Sequence, residues 1–138
     1  MDKPAITSRD VAWLAGLLEG EGCFFSRKNR PTPVIQLCMT DPDVVIRAAA
    51  LLRCNRVIRC KNDTRGGKAL YRTVLFGRDA VGWCMTLYPL MGVRRQQKIK
   101  EMIEKWKASQ RSAYLRRNCT SRGAEVIWLN NRFVNKAA

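Results

Sequence analysis

The sequence has no histidine, so nothing in it adjusts charge near neutral pH and no mixed cysteine–histidine zinc site can be assembled. Its six cysteines, at positions 23, 38, 54, 60, 84 and 119, include no CxxC pair. This spacing argues against structural zinc and against a disulfide framework, and the cysteines are read as reduced, mostly small buried side chains. No apolar run approaches the roughly 18 to 20 residues of a membrane span, and the opening "MDKPAITSRD" lacks the apolar stretch of a signal peptide. The expectation is a soluble, intracellular protein. Acidic residues are scarce: 11 Asp plus Glu stand against 26 Lys plus Arg, leaving a net charge of +15. A surface this basic favours a polyanion, either nucleic acid or an acidic membrane.

With 46% of its 138 residues apolar, the chain suits one compact domain with a real core, and no internal repeat appears. "TSRD" (Thr7–Asp10) fits a capping box and predicts a helix from about Ser8 to Leu18 or Glu19. "CFFSRKN" and "PVIQLCMT" read as two strands joined by "NRPTP". In "TDPD", Thr40 or Asp41 can cap a second helix with Pro42 in its first turn, and Val45, Ala48, Ala49 and Leu52 form its apolar stripe. "NRVIRCK" and "KALYRTVLF" make a second strand pair around "TRGG". A helix from about Asp79 to Leu87 breaks near Pro89, and another runs from about Arg94 to Lys107 with Ile99, Met102, Ile103 and Trp106 along one side. The whole is an α+β domain over residues 1–109, one sheet with helices on one face. A basic segment follows over residues 110–138, whose "AEVIWLNNRFV" is a candidate terminal helix.

The other sheet face is left open, and the basic residues gather on strands. Arg27 alternates with Phe25, Gln36 with Ile35 and Leu37, and Arg59 and Lys61 lie two apart and point together. A solvated outer face explains such alternation in many antiparallel sheets. Repeated on several strands of a strongly basic chain, it points instead to DNA, because a β-ribbon fits the major groove and Arg can hold a guanine edge there. Lys28, Arg30, Lys68 and Arg72, in or beside the same strands, join the candidate DNA contacts. A membrane surface fits poorly, since the basic residues do not line one face of an amphipathic helix.

The first predicted helix ends unusually. Leu14-Ala15-Gly16-Leu17-Leu18-Glu19-Gly20-Glu21-Gly22 carries two carboxylates interleaved with glycines, and Ala12, Gly16 and Gly20, four apart, leave one helix side almost without side chains. Two such helices can approach backbone to backbone. The stretch resembles the signature of the LAGLIDADG homing endonucleases, with Glu in both acidic positions, and the order of elements over roughly Arg9 to Lys107 resembles that family's α-β-β-α-β-β-α core. The basic tail lies outside the resemblance.

The resemblance implies an antiparallel sheet forming a DNA-binding saddle, and a dimer or pseudo-dimer interface made by the motif helix through Ala12, Gly16, Glu19 and Gly20. It implies that Glu21 is the direct Mg²⁺ ligand, that Gly20 adds its backbone carbonyl, and that Glu19 caps or orients the helix pair. Like charges brought together recruit a cation, and hard oxygen ligands suit Mg²⁺. Asp41 falls where the family has a polar residue that positions the hydrolytic water; helix capping is its other reading. Arg94 falls where the family has a basic residue near the scissile phosphate, and its other reading is a solvated helix start. Arg95 and Gln97 either share that task or touch backbone phosphates.

One motif per chain supplies half a site. A homodimer on a palindromic or nearly palindromic duplex is therefore expected, cutting both strands with metal-activated water. Mn²⁺ is expected to substitute for Mg²⁺, and Ca²⁺ to support binding only. An RNA maturase with intron RNA as partner, or a non-cleaving DNA-binding regulator, is the alternative. The resemblance places the chain inside a cell, in the cytoplasm of a bacterium or phage-infected cell or, if organelle-encoded, in an organelle matrix, and intron-encoded is one of the origins it allows beside intein-encoded and free-standing.

Overall fold

The computed structural model describes residues 3–61, 67–118, 125–129 and 132–136. Along the chain come α1 (Ser8–Glu21), β1 (Gly22–Ser26), β2 (Pro33–Met39), α2 (Pro42–Leu51), β3 (Val57–Cys60), β4 (Leu70–Phe76), α3 (Arg78–Leu87), a 3₁₀ turn (Tyr88–Leu90) and α4 (Val93–Asn118). Through α3 this is the expected α-β-β-α-β-β-α order, and α4 is the further helix expected after it. The antiparallel sheet has four strands in the order β1-β2-β4-β3.

Local chemistry sets the helix ends. At the start of α1, the Asp10 N–H donates to Thr7 Oγ1 at 3.2 Å, while Asp10 Oδ2 accepts from the Thr7 N–H at 3.0 Å. These hydrogen bonds from Thr7, with a smaller contribution from Arg47, hold the Asp10 carboxyl below its ordinary pKa. A lowered pKa means that the cap's contribution is present above the ordinary carboxylate range and is lost as pH falls through the lowered value. α1 runs through Glu21, two residues past the expected end, and the Gly22 N–H closes it on the Leu18 carbonyl. Glycine is required here because a Cβ at position 22 would meet the Leu18 carbonyl oxygen at 2.6 Å. At the start of α3, Gly77 has φ 76°, a left-handed conformation that favours glycine.

Asp41 occupies the N-cap position of α2, but its side chain makes no capping hydrogen bond. The helix start instead relies on Pro42 in the first turn, whose fixed φ suits that place. The last long helix is longer than its apolar pattern suggested: α4 continues past Lys107 to Asn118, so the expected boundary after residue 109 falls inside a helix.

The terminal helix expected over "AEVIWLNNRFV" is corrected by the structure. The described residues of that region form two strands, β5 (Glu125–Leu129) and β6 (Arg132–Lys136), paired antiparallel from Glu125↔Lys136 to Leu129↔Arg132. The runs "VIW" and "FV" are short and rich in β-branched and aromatic residues, which favours strands over a helix.

Register assigns the two faces of the four-stranded sheet. Phe24 pairs with Ile35 and Ile35 with Leu75, while Leu37 pairs with Thr73 and Thr73 with Val57. These residues share one face. There they join a continuous core with Leu14 and Leu18 of α1, Val45 and Ala48 of α2, Cys84 and Leu87 of α3, and Ile99 and Met102 of α4. Burial pushes the Cys84 thiol up to about 12, so it behaves as a small apolar side chain. The opposite face carries Cys23, Phe25, Val34, Gln36, Cys38, Arg72, Val74 and Phe76, and none of these belongs to the core cluster.

Candidate active centre and nucleic-acid interface

The ends of several elements meet at one end of the sheet. Gly22 pairs with Leu37, so Glu21 immediately precedes the start of β1 and Asp41 follows shortly after the end of the adjacent β2. Glu21 is exposed as the last residue of α1, Asp41 is exposed, and Arg94 is exposed in the first turn of α4.

Contacts far apart in sequence hold α4 against this end. The Gly92 N–H donates to Glu19 Oε2 at 3.2 Å. The Arg95 guanidinium donates to the Glu19 carbonyl through Nε at 3.3 Å and Nη2 at 3.1 Å, and lies 5.7 Å from the centroid of the Phe24 ring. Glu19, expected on the helix–helix face, therefore turns its carboxylate to its own chain. Gly92 suits that contact, because a Cβ there would sit 2.9 Å from Glu19 Oε1. Arg95, expected against DNA, is half-buried and engaged with the end of α1. Replacing Arg95 by Ala is expected to lower stability by about 1 to 3 kcal/mol, because two charge-assisted hydrogen bonds are lost. The urea midpoint of the variant checks this, and Arg95→Lys should recover only part of the loss, lacking the fork. Beside this latch lies a cleft of about 360 Å³ lined by Phe24, Arg94, Arg95, Gln97, Lys98 and Glu101.

One side of α1 is bare. Leu14, Ala15 and Leu18 are buried, whereas Ala12, Gly16 and Gly20 are exposed. A Cβ added at Gly16 or Gly20 would meet no atom of the described residues within 4 Å. The metal donors expected here are one exposed carboxylate and one carbonyl in the last helical turn, where backbone oxygens outrun the intrahelical ladder. Both are hard oxygen donors of the kind Mg²⁺ takes. Among the described residues, no group of three or more Cys, Asp or Glu could hold a metal within one chain.

The open sheet face divides the residues expected to touch DNA. From the α1 end outward, its cross-strand rows are Cys38–Arg72–Ile58, Cys23–Gln36–Val74 and Phe25–Val34–Phe76. Arg27 belongs to this face too, since its guanidinium lies 4.8 Å from the Phe76 ring centroid. It therefore shares the face of Phe25, two residues away, and does not alternate with it. Arg72 buries its Nε, which has no hydrogen-bond partner among the described residues, on the open side.

Arg59 stands apart. It pairs with Tyr71, which lies on the helix-packed face with Thr73 and Val57, so Arg59 emerges at the sheet edge on the opposite side from Arg27, Gln36 and Arg72. Lys61 is exposed beyond the end of β3. Lys28 and Arg30 are exposed in the β1–β2 connection, and Lys68 is exposed ahead of β4. Arg30 also lines a basic cleft of about 710 Å³ with Lys105, Trp106 and Arg116 near the far end of α4. Among the described residues no helix is long and apolar enough to cross a membrane.

No family model and no curated protein matches the sequence. Solved structures do match. The chain is similar to the homing endonuclease I-CvuI in a crystal structure with its target in the presence of Ca²⁺, with a TM-score of 0.54 and 18% identity over 80% of this chain and 78% of that one. It is similar to the same endonuclease with the I-CreI target in the presence of Mg²⁺, where the DNA is not cleaved, with a TM-score of 0.52 and 18% identity over the same shares. At that identity the likeness shows the fold: the chain has the LAGLIDADG homing endonuclease fold.

Proposed function

We propose that the chain is a homing endonuclease, acting as a homodimer to cut both strands of a long palindromic or nearly palindromic duplex by Mg²⁺-dependent phosphodiester hydrolysis. The observation that carries this reading is α1: its bare Ala12–Gly16–Gly20 side runs to an exposed carboxylate, Glu21, at its last residue. Two copies packed along that side would bring their Glu21 carboxylates together near the two-fold axis. Close carboxylates repel unless a cation lies between or beside them.

The residues of each chain divide the work. Glu21, with the Gly20 carbonyl, would hold Mg²⁺, which when bound supplies charge to the scissile phosphate and lowers the pKa of its water. Asp41, free of a capping bond to the α2 backbone, can accept a hydrogen bond from the attacking water and orient it. Arg94 places positive charge where the phosphorane develops negative charge. Arg95 and Glu19 act one step back, fixing the end of α1 against the start of α4 so that Glu21 and Arg94 keep their relation. The open sheet face, with Arg27, Gln36 and Arg72, would lie in the major groove, and the +15 net charge would draw the phosphate backbone to it. Arg59, on the other side, is better placed for a backbone phosphate or for solvent than for a base edge.

The test is incubation of supercoiled plasmids carrying randomised inserts, with and without Mg²⁺. Linear product is expected only with Mg²⁺ and only from a small subset of inserts. Plasmid that stays supercoiled in both arms would contradict the reading.

A further inference from the structure

The outer row of the open face is apolar, which is unexpected on a chain this basic. Phe25 is 37% exposed and Phe76 55% exposed, and Val34 between them on the central strand is 1% exposed although it lies outside the core cluster. The three residues are directly opposite one another on adjacent strands, so they form one ridge across the sheet. Two strand spacings of about 4.8 Å separate the outer two backbones by roughly 10 Å. That span is comparable with the major groove, about 12 Å wide. Arg27 sits over Phe76 at the same end, so a cation able to meet a phosphate flanks the ridge.

Resting on the reading that this face meets duplex DNA, we propose that Phe25 and Phe76, the exposed ends of the row on either side of buried Val34, select thymine in the outer part of each half-site by contact with its 5-methyl group. The ridge side chains offer no hydrogen-bond donor or acceptor. Pressed against a guanine or adenine edge, or the amino group of cytosine, they strip water from polar groups and return nothing. The methyl of thymine is the apolar feature of the major-groove edges, and burying it against aromatic and aliphatic carbon is favourable. The row's place in the fold sets the position. Gln36 and then Arg72 lie on rows closer to the end of α1, where the two chains would meet, so the ridge reaches base pairs farther from the axis. The same logic makes the row blind to the source of the methyl group, so 5-methylcytosine should be preferred to cytosine there.

The experiment begins by selecting bound duplexes from a randomised library in Ca²⁺ with the native protein. Thymine should be enriched at a symmetry-related pair of outer positions. Replacing those thymines by deoxyuridine, which removes only the methyl groups, should weaken binding about three- to fivefold per methyl, the factor expected for one buried carbon. Phe76→Ser should keep the circular dichroism spectrum of the folded protein and the inner preferences and reduce the difference between thymine and deoxyuridine at the position it faces; Phe25→Ser is the independent second variant. The proposal is overturned if deoxyuridine binds the native protein as tightly as thymine, or if the difference survives undiminished in both variants. Enrichment confined to inner positions overturns the proposal alone. Enrichment of no sequence overturns the DNA reading beneath it.

Discussion

Glu21→Gln is expected to bind the recognition site as tightly as the native protein, or slightly tighter, and to cut it slower by orders of magnitude. The substitution keeps the size of the side chain and removes its charge. Because Glu21 is exposed at the end of α1 and outside the core, the fold has no reason to respond. A divalent cation loses its anionic ligand, and with it the activated water and the charge on the scissile phosphate. Binding survives because Arg27, Gln36 and Arg72 are untouched on a different surface, and a negative charge facing phosphate has gone. Ca²⁺ in place of Mg²⁺ should give the native protein the same profile, since its looser coordination positions water poorly. Mobility-shift titration beside a cleavage time course separates the two effects. A variant that cuts at the native rate would show that the end of α1 is a structural feature, and a DNA-binding or maturase role would replace nuclease activity.

Gly16→Leu should be nearly as damaging by a different route. Within one chain the substitution is harmless: an added Cβ meets no atom of the described residues within 4 Å, and Leu is a better helix former than Gly. The circular dichroism spectrum and melting temperature of an isolated chain should therefore hold or improve. Between two chains packed along the Ala12–Gly16–Gly20 side, the four extra carbons of each Leu have nowhere to go, and a close backbone contact does not stretch to admit them. Sedimentation should show native dimers and variant monomers, with cleavage lost along with the second Glu21. An unchanged dimer in the variant, or a monomeric native chain, would move the interface elsewhere.

Features of this chain differ in how legible they are from sequence because the interactions that fix them differ in range. The capping box at Thr7–Asp10, Pro42 at the start of α2 and the glycine–carboxylate alternation at the end of α1 are local. Each is legible because its physics is settled within a few residues. Which face a strand residue occupies is settled by register with a distant strand. Arg59 and Arg27 look alike in sequence as basic strand residues, yet the pairing of β3 with β4 puts them on opposite sides. The Phe25–Val34–Phe76 row needs β1, β2 and β4 brought side by side, and no sequence window contains it. The latch from Glu19 to Gly92 and Arg95 spans more than seventy residues, so Arg95 looked like one more basic residue in "VRRQQKIK". Asp41 stands at an N-cap by position, but capping needs a side-chain geometry that position alone does not supply. The paired strands near the C-terminus had a signal that was available: two short runs, "EVIWL" and "RFV", rich in β-branched and aromatic residues and too short for a helix of ordinary length.

Two copies of α1 are expected to build one cutting centre on a two-fold axis. Mapping the cut on each strand of the linear product, together with the sequence of the site recovered around it, tests that claim most directly. One break in each strand is expected, placed symmetrically about a midpoint around which the site reads as its own reverse complement or close to it, with two protein chains bound per site. Single-strand nicks, or paired cuts in a sequence with no such symmetry bound by one chain, would contradict it.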